Sequence, residues 1–289
     1  MATVEIRGNT HENAWVSALF AGPRRRIFLF MNRRTIRPTW RFFLLIIAFS
    51  APFWLLGALL GIQLLPGLPL SSLGFVCPVA AALVLAWREN GARGVKDLLK
   101  RSLDMGRVKQ RAWLLPVILL MPFVSAATWG FLRATGTQLP PPQIPALRSL
   151  GLLLAFFVGA LCEELGWSGY ATDPLQDRYG ALTAALIIGG VWAAWHFVPL
   201  AEAHRSFAFV AWWTLGTVSL RVIIVGLYNA TGGSVFAATL LHAMSNLCWQ
   251  LFPVDGSFYD PRVTGLILTA VALLGVALSR PMAPRKEYR

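Results

Sequence analysis

An all-α fold is predicted, a polytopic membrane helix bundle of about eight transmembrane helices. Three observations predict it. The 289 residues are 56% hydrophobic with a mean hydropathy of +0.58. Only 13% are charged, against roughly a quarter in soluble domains. Apolar windows of about 20 residues, the length that crosses a bilayer as a helix, recur along the chain. The formal charge of +13 does not point to nucleic acid, because Lys and Arg cluster between the apolar windows, where the positive-inside bias and anionic lipid account for them.

Residues 1–41 form a basic cytoplasmic extension that includes Arg24, Arg25, Arg26, Arg33 and Arg34. No short apolar region with a small-residue cleavage site follows, so it reads as retained, with Ile27–Met31 able to lie on the membrane surface. Residues 42–145 hold three spans, at 42–64, 70–87 and 112–132. Gly57 and Gly61 make a GxxxG pattern in the first, which reads by default as helix packing. The connection 133–149, with Pro140-Pro-Pro142, is an extended outer loop. Residues 146–255 hold four spans, at 150–170, 181–200, 206–228 and 233–252. Residues 256–289 hold the last span, 263–280, and a basic tail. No internal repeat is visible. Asn229-Ala-Thr231 fits a glycosylation sequon but falls on the cytoplasmic side, as a turn. Cys77, Cys162 and Cys248 all lie within spans and read as small apolar packing, not disulfides. Of 26 Lys and Arg, only Arg133, Arg148, Arg205 and Arg262 fall on the opposite side and Arg221 inside a span, so both termini should be cytoplasmic.

The chemistry sits in the spans. Glu163 and Glu164 end a long apolar run in the fourth. An ionisable group at bilayer depth is costly and marks function by default. Two adjacent carboxyls there are not easily both ionised, a setting that suits a general acid or base. His196 closes Trp192-Ala-Ala-Trp-His in the fifth span. His242 opens His-Ala-Met-Ser-Asn246 in the seventh. The four-residue offset puts each pair on one helix face. His11 and His204 read as solvated. Counting 1.5 Å per residue from the span ends places Glu163 about 10 Å nearer the cytoplasm than His196, a gap that a kinked or misplaced span would close. The polar faces should meet around an internal cavity.

These residues resemble the three motifs of the CAAX-processing and bacteriocin-immunity (CPBP, or Abi) family of intramembrane proteases: Glu-Glu-x-x-x-Arg, Phe-x-x-x-His and His-x-x-x-Asn. The resemblance covers about 150–255. It implies an endopeptidase that hydrolyses a peptide bond near a membrane-embedded or lipidated segment. Glu163 with His196 would activate the water, His242 and Asn246 would hold the oxyanion, and Glu164 would orient them. It leaves metal open: Glu163, His196 and His242 would be three ligands for zinc with a fourth position free. It implies membrane lipid and a membrane-associated peptide or protein as partners, and no nucleic acid. The chain looks bacterial, an integral protein of the cytoplasmic membrane. Trp192 replaces the motif's aromatic with another. Ser168 stands where the motif has Arg, so Glu164 needs another cation, and Arg221 is the candidate. Three alternatives remain: a proton or cation pathway, a non-catalytic immunity or membrane binding protein, or a rhomboid-like serine protease using Ser168 of Gly166-Trp-Ser-Gly169.

Overall fold

The computed structural model describes residues 39–279; the basic extension, His11, the Ile27–Met31 segment and the basic tail lie outside them. The molecule is an all-α polytopic bundle. Among the described residues seven helical stretches are long and apolar enough to cross a membrane. The expected seventh span, 233–252, is a helix of 17 residues packed within the bundle.

Helix α1 (Thr39–Leu60) ends at Gly61, whose φ of +62° takes the chain into a short hairpin, β1 (Gln63–Leu65) with β2 (Leu68–Pro69). This revises the GxxxG reading. Gly61 terminates the helix, and Gly57 leaves room for the Glu202 carboxylate, where a Cβ would collide. A 3-10 turn (Leu70–Val76) leads into α2 (Cys77–Leu99), which kinks at Asn90–Gly91 and continues past the expected end of the span. Helix α3 (Leu114–Ala134) returns.

Helix α4 (Ala146–Gly166) runs through a π-helical segment (Trp167–Thr172) into α5 (Asp173–Tyr179), a continuous 34-residue rod. Gly180, at φ +82°, turns the chain into α6 (Ala181–Trp195) and α7 (Phe197–Glu202). Then follow α8 (Phe207–Ala230), α9 (Val235–Leu251) and α10 (Pro261–Ser279). Side-chain oxygens cap the last three at their N-termini: Ser206 accepts from Phe209 N, Ser234 from Ala237 N, and Asp260 from Val263 N.

Helix α9 lies against α3 and α4, and α8 lies against α6 and α10. Two glycines permit the approaches that shape the site. A Cβ on Gly166 would sit 2.7 Å from the Pro78 carbonyl of α2, and one on Gly189 would press Arg221 of α8 at 3.2 Å. Leu59, Leu115, Phe123 and Leu154 lie on the outside as a lipid-facing belt.

The bundle has two distinct ends. At one, Arg101 donates to the carbonyls of Gly169 and Gly233, at 2.6 and 2.9 Å, and Asp104 accepts from Ser234 and the first amides of α9. At the other, Ser71 donates to Glu202, Gln143 N donates to Pro253 O, and Arg148 pairs with Asp255. Asn229, at the first end, donates to Gln176 as α8 closes in a turn at Thr231.

Candidate active site

Helices α4, α6 and α9 bring Glu163, His196, His242 and Asn246 to one cavity of about 350 Å³. Glu163 and His196 stand at the same level: the Trp192 indole donates to Glu163 Oε2 at 2.8 Å, and His196 Nδ1 is 2.8 Å from the Trp192 carbonyl. The 10 Å offset expected from counting closes because the helical rod that carries Glu163 runs on to Tyr179, so Glu163 and His196 lie almost equally far along their helices from the shared turn at Gly180. His196 also sits at a helix break, between α6 and α7.

Glu164 faces away from the cavity and is fully buried. Its Oε2 accepts from Arg221 at 2.8 Å and from Ser168 at 2.5 Å, and its Oε1 lies 3.0 Å from His242 Nδ1. Arg221 is also fully buried. A buried carboxylate of this kind is tolerable only when paired and hydrogen-bonded. Here the cation comes from α8, while Ser168 occupies the place of the motif arginine.

Trp192 is the hub. Its indole binds Glu163, the Arg221 guanidinium lies 4.2 Å from its ring centroid, and both His196 and His242 meet it edge-on. Trp195 and Trp213 complete the wall around His196, and Trp195 is held by Ser50 of α1 at 2.7 Å. Each histidine uses Nδ1 within the protein, so Nε2 is the nitrogen left for the cavity. The sequence signals Trp192 through its spacing, but nothing in it marks Trp213 or Ser50.

One expectation changes here. Ser168 is fully buried, donates to Glu164 and does not line the cavity, while His242 is turned to Glu164. A serine nucleophile has neither a base nor access, which removes the rhomboid-like alternative. No three His, Cys, Asp or Glu side chains gather closely enough to hold a metal ion among the described residues. Glu163, His196 and His242 all line the cavity, and no step below passes through a metal. The three cysteines are free thiols.

Comparison with known proteins falls on the same helices. Residues 145–248 match the family described as type II CAAX prenyl endopeptidase Rce1-like. Over 248 residues the chain is 26% identical to CAAX prenyl protease 2 of Methanococcus maripaludis, covering 76% of this chain and 88% of that protein. The first of these matches falls on the helices that carry the three motifs, so it is there that the chain is similar to the CAAX prenyl endopeptidases.

Proposed function

We propose that this protein is an intramembrane endopeptidase that hydrolyses a peptide bond near a membrane-embedded or lipidated segment with a water activated by Glu163 and His196. The observation that carries the reading is the division of labour between the two glutamates. Glu163 lines an apolar cavity together with His196, His242 and Asn246, while Glu164 sits behind it, bound to Arg221, Ser168 and His242.

Peptide hydrolysis needs a base for water, donors for the tetrahedral oxyanion and an acid for the leaving amine. Glu163 has one oxygen held by Trp192, which leaves the other for water. His196, fixed through Nδ1, holds that water with Nε2. Glu163 takes the proton as the water attacks the carbonyl carbon, and returns it to the leaving nitrogen. His242 Nε2 and the Asn246 amide donate to the oxyanion. Nδ1 of His242, 3.0 Å from Glu164 Oε1, fixes the ring so that Nε2 faces the cavity, and Glu164 is itself paired with Arg221. The mainly apolar lining suits a lipid-bearing or apolar chain, the kind of substrate that the name of the archaeal relative indicates for that protein.

The test is cleavage of a quenched peptide library by detergent-purified protein, beside Glu163→Gln. Loss of turnover by about 10³-fold in the variant, with fluorophosphonate and chelators without effect, is expected. Inhibition by a chelator, restored by zinc, would turn the reading to a metalloprotease. Folded wild type that cleaves nothing would favour the non-catalytic binding or immunity alternative.

A further inference from the structure

Between α2 and α3 the chain leaves the apolar layer and returns to it at the same end of the bundle. Trp87, 62% exposed, and Trp113 stand at the two crossings, the level that amphipathic indoles take at a membrane surface. Helix α2 breaks at Asn90–Gly91, where Gly91 takes a φ of +57°, and residues 100–107 form 3-10 turns that break again at Leu103–Asp104.

One side of this connection is packed. Leu98 and Val108 are buried, and a Cβ on Gly169 would sit 3.2 Å from Leu98. Arg101 and Asp104 are tied inward, to the Gly169 carbonyl and to the first amides of α9. The other side is unlike a soluble loop. Leu99, Leu103 and Met105 are 46, 78 and 52% exposed. Among them in sequence stand the exposed cations Arg88, Arg93, Lys96, Lys100, Lys109 and Arg111. The exposed acids are Glu89, which accepts from Tyr170, and Asp97, 3.9 Å from Arg93 and 3.4 Å from Lys100. The surface is therefore cationic in balance. Lys96, Leu99 and Lys100 follow the i, i+3, i+4 spacing, so two ammonium groups flank one leucine on a single helix face.

Lysines alone fit any solvated loop, but exposed leucines set between them do not. The combination fits a segment in the headgroup layer, with apolar side chains at the acyl boundary and cations at the phosphates. No residue from 88 to 111 lines the cavity, so this surface is separate from the candidate active site.

We infer that residues 88–111 form a binding surface for anionic phospholipid. Lys96, Lys100 and Lys109 hold the anionic headgroups, and Leu99, Leu103 and Met105 enter the acyl boundary. The assignment does not rest on the endopeptidase reading.

The full chain in detergent is titrated with dioctanoyl phosphatidylglycerol and with dioctanoyl phosphatidylcholine, and bound lipid is counted by native mass spectrometry. Near an anionic surface each cation is worth about fivefold, so phosphatidylglycerol is expected to bind about 10²-fold more tightly. Combining Lys96→Gln, Lys100→Gln and Lys109→Gln should erase that preference. Leu103→Ser should weaken both lipids, by about tenfold. Equal affinity of the wild type for the two lipids overturns the inference. So does a preference that survives the triple lysine variant. Combining Arg133→Gln, Arg148→Gln and Arg262→Gln removes the same charge elsewhere and should keep the preference; its loss there would mean that net charge, and not this surface, attracts the lipid. Glycerol 3-phosphate that displaces phosphatidylglycerol at equal concentration would make this a phosphate site and overturn the lipid assignment. Should the triple lysine variant fail to fold, salt decides with the wild type. Raising it must weaken phosphatidylglycerol and spare phosphatidylcholine, and phosphatidylglycerol binding indifferent to salt overturns the role of the lysines.

Discussion

At the scale of single residues, the arginine that the motif lacks at 168 is replaced in space from another helix. Arg221 and Ser168 share Glu164 Oε2, and Arg221 does not line the cavity. In the proposed mechanism its role is positioning: it pairs with Glu164, which orients His242. Removing one partner of a fully buried pair strands the other charge at a cost of about 3–5 kcal/mol. Arg221→Gln is expected to lower kcat by about 10²-fold with KM little changed, since roughly 3 kcal/mol of transition-state support is lost. Adding Ser168→Arg should recover much of that loss, by returning the guanidinium to the same carboxylate from α4. A double variant that accumulates folded but is no more active than Arg221→Gln would sink the positioning role. The sequence carried part of this. Arg221 was visible as the one basic residue inside a span, and its level with Glu164 followed from helical rise. That Ser168 would supplement it as a donor to Glu164 was not visible, because a Gly-x-Ser-Gly string says nothing about which way the hydroxyl turns.

At the scale of elements, the spans were legible because apolar windows of bilayer length are the strongest periodic signal in such a chain. Their ends were not. The second and fourth spans continue as helix beyond the hydrophobic window, to Leu99 and Tyr179, because helical hydrogen bonding does not stop where hydrophobicity does. The depth of Glu163 was misjudged for that reason. The extra turns also build the end of the bundle where Arg101 and Asp104 lie. Arg101, just past α2, donates to Gly169 O, Gly233 O and the Tyr228 hydroxyl, and Tyr228 in turn donates to Asp173. Arg101→Ala would leave the two carbonyls and the Tyr228 hydroxyl without their donor. An expected loss of about 3 kcal/mol follows, read as a lower midpoint of thermal unfolding in detergent. An unchanged midpoint would mean that water replaces the guanidinium at no cost.

At the scale of the whole molecule, the bundle separates two environments around one wall of tryptophans. On one side lies an apolar cavity with a carboxylate, two imidazoles and an amide; on the other, a buried charge pair without access to it. The sequence pointed to a shared cavity through roughly compatible depths on three helices. It could not tell which of two adjacent glutamates faced inward, since neighbours differ by about 100° around a helix and the rotation of α4 is set by packing against α2 and α9.

The π-helical segment at Trp167–Thr172 has one more effect. A π turn carries an extra residue, so everything from Asp173 onward is set about 100° out of phase with the glutamates. The rod thus has two independent clock faces, one aimed at the cavity wall and one that delivers Asp173 to Tyr228. Deleting Gly169 should restore a regular α-helix and misalign the two faces. The expected result is a protein that keeps its helical circular dichroism but loses turnover. Equal activity would show that the rod can slip by one residue without its two ends noticing each other.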